Sequence, residues 1–190
     1  MLVLASQSPR RQELLHRIGL NEFRICVPCA EETYPPELTP EEIVKHISRS
    51  KALAARPLVD AGDIVIAADT MVFLDQQRLG KPRNEAHALE MLTALQGRTH
   101  TVCTGVTVMQ DSTLLTQAES TQVQFRPASQ LELLAYIRSG EPMDKAGAYG
   151  VQGLGSLLVQ SICGDFYNVM GLPLLRLSQM LQQFGINCLQ

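Results

Sequence analysis

The sequence predicts an α/β fold built on a mixed sheet flanked by helices. Three observations carry that prediction. Strand-like and helix-like stretches intermix along all 190 residues. Residues 63–74 are apolar on both faces, as in a central strand covered on each side. Residues 98–109 and 114–125 read as two strands joined through Gln110-Asp111-Ser112, which makes them an antiparallel pair. The hydrophobic share is 45% and the charged share 18%, a globular balance large enough for one sizeable core or two lobes sharing a sheet.

The elements follow in order. Residues 2–5 form a short apolar strand that turns through Ser6-Gln7-Ser8 into a helix, with Ser8 as N-cap and Pro9 at the first helical position. Leu14, Leu15 and Ile18 give that helix its apolar face, and Gly19 stops it. A second strand spans 23–27, and the acidic, proline-bearing stretch 30–38 is loop. Thr39-Pro40-Glu41-Glu42 is a capping box that opens a helix to Ala55, with Ile43, His46, Ile47, Ser50, Leu53 and Ala54 near one face. After the central strand, Asp75-Gln76-Gln77-Arg78 is a hairpin-like turn. Asn84 caps a helix to Leu95 that Gly97 ends. Ser129-Gln130-Leu131-Glu132 is a second capping box, for a helix to Arg138 stopped by Gly140. Residues 141–153 form a long glycine- and alanine-rich loop with few core-building residues, the kind of loop that usually serves function. A strand over 155–163, a turn over 164–168 and a last helix from Gly171-Leu172-Pro173 to Gly185 complete the chain.

Net charge is −3, which argues against bulk binding of nucleic acid or of a membrane surface. No apolar run approaches the ~18 residues of a membrane span, and Met1-Leu2-Val3-Leu4-Ala5 lacks the basic flank and length of a secretory signal. The expectation is a soluble, cytoplasmic protein. Five cysteines, an odd number, suit reduced thiols. Cys26-Val27-Pro28-Cys29 has redox or half-zinc spacing, but no second pair closes a zinc site and no helix begins at Cys29, so the spacing reads as coincidence.

Two local breaches of rule point to a site. Arg10 and Arg11 occupy a first helical turn, where the helix dipole disfavours cations. Free N–H groups, the Ser6 and Ser8 hydroxyls and two guanidiniums together suit a polyphosphate, although paired surface arginines are the plainer account. Asp69-Thr70 interrupts the central apolar run, and a carboxylate there needs a partner or a cation. Lys51 is explicable by the dipole of its helix alone, Lys81 between Gly80 and Pro82 as a surface lysine, and His100 as a hydrogen-bonded structural histidine. Taken together, Arg10, Arg11, Lys51, Lys81 and Lys145 against few carboxylates suit a triphosphate with Mg²⁺ or Mn²⁺, which completes its shell with water and phosphate oxygens. P-loop, dinucleotide-fold and zinc-protease motifs are absent.

These residues resemble the Maf-like nucleoside triphosphate pyrophosphatases. The matching pieces are Ser6-Gln7-Ser8-Pro9-Arg10-Arg11, Glu31-Glu32, Ser50-Lys51-Ala52, Ala68-Asp69-Thr70, Gly80-Lys81-Pro82, the stretch 97–102, the stretch 144–153 and the stretch 168–173. Each is weak; their order along nearly the whole chain is specific. The resemblance implies one Maf-like domain over residues 1–190, with two lobes, a central cleft and an inosine triphosphatase-like fold. It implies a metal-dependent cut between the α- and β-phosphates, with Asp69 at the acid-base position. It links Arg10, Thr70 and Gln152 to substrate choice and turns Lys51 and Lys81 toward phosphates. The 144–153 loop resembles the branch acting on dTTP and UTP; the sister branch prefers 7-methylguanosine triphosphate. A homodimer, a house-cleaning role and a link to septum formation and division arrest are further implications, the last leaving a non-catalytic nucleotide-binding regulator as an alternative.

The chemistry of the residues is compatible. Asp69, near a metal, can accept the proton of an attacking water. Glu32 is a candidate metal ligand, with Glu31 open as the alternative. Ser8, Arg10, Arg11, Lys51, Lys81 and Lys145 are candidates for holding phosphates. Gln152 offers one donor and one acceptor, which complement O4 and N3–H of uracil or thymine but equally O6 and N1–H of guanine.

Overall fold

The computed structural model describes residues 1–30 and 32–189. One seven-stranded mixed sheet runs in the order β2-β1-β3-β5-β6-β7, with β4 paired to β3. The strands are β1 (Leu2–Leu4), β2 (Phe23–Ile25), β3 (Ile64–Leu74), β4 (Gln77–Leu79), β5 (Thr99–Gln110), β6 (Thr113–Phe125) and β7 (Val159–Cys163). The helices are α1 (Pro9–Arg17), α2 (Pro40–Ala55), α3 (Glu85–Leu95), α4 (Gln130–Arg138), α5 (Phe166–Met170) and α6 (Leu174–Gln182). β1 pairs parallel to β2 and to β3, whereas β4 pairs antiparallel to β3 and β7 antiparallel to β6. The expected mixed α/β class therefore holds.

The chain divides into two compact units. The first comprises Met1–Thr70, Thr104–Glu119 and the chain from Gly171 onward; the second comprises Met71–Cys103 and Ser120–Met170. In the first, Val3, Ala5, Ala52, Ala55, Val65, Ala67 and Met109 form a core of small residues. Such residues let a helix lie close to a sheet. The closest approach is at Gly105 of β5, where a Cβ would overlap the Val44 carbonyl of α2. The α2 face that packs is Ile43, Val44, Ile47, Ser48, Ala52 and Ala55. This corrects the expected face: Leu53 is exposed, and the smaller Ser48 and Ala52 are buried in place of the bulkier candidates. Lys51 lies four residues from both Ile47 and Ala55, on the edge of that buried stripe.

In the second unit, Leu92, Leu95, Val123, Phe125, Leu133 and Ile137 centre a larger-residue core. Both expected capping boxes form. Glu42 accepts the Thr39 N–H at 2.9 Å, and Glu132 accepts the Ser129 N–H at 2.8 Å. Ser8 stands at the N-cap of α1, but its hydroxyl caps nothing. Gly19, Gly97, Gly140 and Gly185 take positive φ after their helices, as expected of helix stops.

Four expectations need correction. Gln77–Leu79 is a strand rather than part of a turn, because the edge of β3 supplies it with hydrogen bonds. Leu154–Leu158 is a 3₁₀ turn, so the last strand begins only at Val159. Phe166–Met170 is a short helix, not a turn; the Asp165 carboxylate accepts the Tyr167 N–H at 2.7 Å. The loop over 141–153 does build core: Ala148 and Tyr149 are buried within the second unit's cluster.

Candidate active site

The first unit gathers its charges around Asp69, which lies within β3. Asp69 is buried. Its Oδ1 accepts from Lys51 Nζ at 2.7 Å, while its buried Oδ2 has no partner among the described residues. The same ammonium pairs with Glu32 Oε1 at 2.8 Å. Two carboxylates from separate segments thus converge on one cation delivered by α2. The dipole of α2 is not what Lys51 serves. Glu31 lies outside the described residues.

Arg11 turns inward from the first turn of α1. Its Nε donates to the Gly171 carbonyl at 2.8 Å, Nη1 to Ser6 Oγ at 3.1 Å and Nη2 to Thr70 Oγ1 at 3.1 Å. Three of a guanidinium's five N–H groups are therefore used among the described residues. Burial pulls the Arg11 pKa down, opposed by the Asp69 carboxylate and aided by the neighbouring Arg10 charge. Thr70 Oγ1 also meets Thr104 Oγ1 at 3.0 Å. Thr104 is fully buried, and its role in seating Thr70 was not anticipated; a threonine on a covered strand face is indistinguishable in sequence from a packing residue. Ser8 and Arg10 are half-buried at the start of α1, and the Ser8 N–H donates to Ser6 Oγ at 3.3 Å.

Lys81, Lys145 and Gln152 belong to the second unit. Lys81 is exposed after β4. Its neighbour Gly80 accepts the Gly147 N–H at 3.0 Å, which ties the start of the Lys81 segment to the 144–153 loop. Lys145 Nζ donates to the Glu141 carbonyl and to Asp144 Oδ1, both at 2.7 Å. Gln152 is exposed. His100 is buried, with Nε2 at 2.8 Å from the Tyr149 hydroxyl, and burial pulls its pKa down to about 4. It is the structural histidine the sequence suggested. Cys26 and Cys29 are free thiols, the first buried and the second exposed. Among the described residues no helix is long and apolar enough to cross a membrane.

A family model described as "Maf-like protein" matches residues 1–184. The chain belongs to the Maf-like family. Among relatives of this Maf-like chain, a protein of Exiguobacterium sibiricum named dTTP/UTP pyrophosphatase is 48% identical over 186 residues, covering 97% of this chain and 93% of the relative. One of Symbiobacterium thermophilum with the same name is 47% identical over 184 residues, covering 97% and 94%. Among solved structures, a HAM1 protein from Coxiella burnetii superposes with a TM-score of 0.51 at 17% identity, over 96% of this chain and 98% of that one. At that identity the likeness concerns the fold alone, and it places the Maf-like chain in the inosine triphosphatase-like class.

Proposed function

We propose that this Maf-like protein hydrolyses dTTP and UTP to the nucleoside monophosphate and pyrophosphate. The observation that carries the chemistry is the Asp69 carboxylate, buried, with one oxygen on Lys51 and the other without a partner among the described residues. The substrate comes from the names of the near-full-length relatives.

The donor set suits a divalent cation. Asp69 offers a buried oxygen that nothing among the described residues satisfies, and Glu32 brings a half-exposed carboxylate to the ammonium of Lys51. Among the described residues no group of three or more His, Cys, Asp or Glu side chains gathers as a metal site. Mg²⁺ or Mn²⁺ needs no more than one or two protein carboxylates, so Asp69 and Glu32 would hold it. When bound, such an ion neutralises phosphate charge.

The chain's own groups do the rest. Water attacks the α-phosphorus, the bond to the bridging α–β oxygen breaks, and pyrophosphate leaves. The Asp69 carboxylate takes the proton of the attacking water. Lys51 and Arg11 supply positive charge to phosphate oxygens, with Ser8 and Arg10 beside them at the N-terminus of α1. The resemblance turns Lys81 toward phosphates and links Arg10, Thr70 and Gln152 to substrate choice, and Lys145 adds a further cation. Thr70 acts through its fixed hydroxyl, and Gln152 through its amide on the base edge.

The test is pyrophosphate release with Mg²⁺ or Mn²⁺ over dTTP, UTP, CTP, GTP, ATP and 7-methylguanosine triphosphate. Turnover confined to dTTP and UTP supports the proposal. Turnover of 7-methylguanosine triphosphate alone reassigns the Gln152 loop to the sister branch. Nucleotide bound without turnover replaces an enzyme with a regulator.

A further inference from the structure

We infer that Glu141 is a positioning residue for Gln152, holding both ends of the segment that carries it, so that nucleotide preference depends on a carboxylate that does not touch the nucleotide. The inference rests on the reading above, in which Gln152 meets the base.

Glu141 follows directly on the stop of α4. Its Oε2 accepts the Leu154 N–H at 2.8 Å, and its Oε1 accepts the Gly155 N–H at 3.1 Å. These groups lie just after Gln152. Oε1 also accepts the Tyr136 hydroxyl at 3.0 Å, and that hydroxyl oxygen accepts the Gly150 N–H at 3.0 Å. Gly150 lies just before Gln152. One carboxylate therefore binds the far foot of the segment directly and the near foot through the buried Tyr136. Gln152 is exposed at the apex between them.

The glycines show how tightly the feet close. A Cβ on Gly153 would overlap the Glu141 carboxylate, and a Cβ on Gly155 would overlap the Gly150 carbonyl and the Tyr136 hydroxyl. Burial pushes the Glu141 pKa up, but the N–H groups of Gly155 and Leu154 and the Tyr136 hydroxyl outweigh it and hold the acid below its ordinary value. An ionised carboxylate is an acceptor at both oxygens, as this network requires. The stretch quoted for the resemblance begins at Asp144, and the resemblance as stated gives Glu141 no role.

The experiment compares wild type, Glu141→Gln and Tyr136→Phe. The first readout is amide hydrogen exchange at Gly150, Leu154 and Gly155 in nucleotide-free protein. The second is kcat/KM for dTTP, UTP, CTP and GTP. The third is binding of inorganic tripolyphosphate, which has no base to read. Glu141→Gln replaces one acceptor oxygen by a donor. It should speed exchange at Leu154 and Gly155, and lower kcat/KM for dTTP by about 10- to 100-fold, the scale of one hydrogen bond to a charged group. Discrimination against GTP should shrink, and tripolyphosphate affinity should stay within about twofold. Tyr136→Phe should speed exchange at Gly150 alone and lower kcat/KM less. Unchanged exchange overturns the inference, as does faster exchange with unchanged nucleotide preference. An equal loss of tripolyphosphate and dTTP affinity also overturns it, because the damage is then general. A wild type that turns over no nucleotide overturns the reading beneath it, and is recognisable because the exchange differences would still appear.

Discussion

Two acids, the buried Asp69 and the partly exposed Glu141, are treated in opposite ways. Glu141 has both oxygens filled, by two backbone N–H groups and a tyrosine hydroxyl. Asp69 has one oxygen on an ammonium and the other on nothing among the described residues. A fully satisfied carboxylate lowers the energy of one backbone arrangement and resists change. A half-satisfied one keeps capacity for a proton or a cation, and the fold tolerates the cost. Under the proposed function, the contrast separates a group that holds structure from one that takes part in the reaction.

The sharpest way to break that contrast is Asp69→Asn. The side chain keeps its shape, so thermal unfolding should change little, while pyrophosphate release from dTTP should fall by about 10²- to 10⁴-fold, the range for removing a general base. A variant with near wild-type turnover would place the reaction elsewhere. Lys51→Met comes next. It leaves Asp69 and Glu32 facing each other without their shared cation, and dTTP turnover should drop about 10- to 100-fold. Retained turnover would make Lys51 a placeholder between the carboxylates and nothing more.

His100 tests the second unit through pH. Its ordinary pKa of 6.5 falls to about 4 in the folded protein, because burial disfavours the charged ring. Between these values the unfolded chain binds a proton that the folded one does not. Stability from this group is therefore complete above about pH 6.5 and is lost as pH falls toward 4, by about 3 kcal/mol in all. Urea unfolding of wild type and His100→Asn at pH 7 and pH 5 should show a steeper loss in wild type; parallel curves would mean the ring is charged in the folded state. The smallest effect is expected from Tyr136→Phe, which removes the hydroxyl between Glu141 and Gly150 and leaves Glu141 its two backbone N–H partners. Turnover of dTTP should fall by about two- to tenfold.

Much of the fold was legible because its signals are local. Thr39-Pro40-Glu41-Glu42 and Ser129-Gln130-Leu131-Glu132 specify helix starts within four residues, and both boxes form. The apolar run of β3 needs no partner to be recognised. What escaped is decided by contacts distant in sequence. Gln77–Leu79 is too short and polar to announce a strand and exists because β3 pairs with it. Tyr149 turns a glycine-rich loop into core by packing on Phe125 and His100. Asp69 stood out as a polar residue in an apolar strand. Lys51 stood out as a candidate for phosphates but its pairing with Asp69 did not, because that depends on α2 burying Ser48 and Ala52. Arg11 was read as offered to a ligand, and most of its hydrogen-bonding capacity instead braces Ser6, Thr70 and Gly171.

The contact at Gly105 bears on how such a protein can evolve. There the main chain of α2 rests on the main chain of β5 with no side chain as spacer. Side-chain contacts shift by tenths of an ångström as neighbours drift, but two backbones in contact have nothing to exchange. Lys51, about two helical turns beyond Val44, inherits that fixed height. The ammonium–carboxylate pair is thereby insulated from turnover of the surrounding core sequence. The Gln152 segment hangs from one replaceable side chain and has no such insulation. If Gln152 reads the base as proposed, selection can retune preference there in a single step, while the arrangement at Asp69 is passed on unchanged.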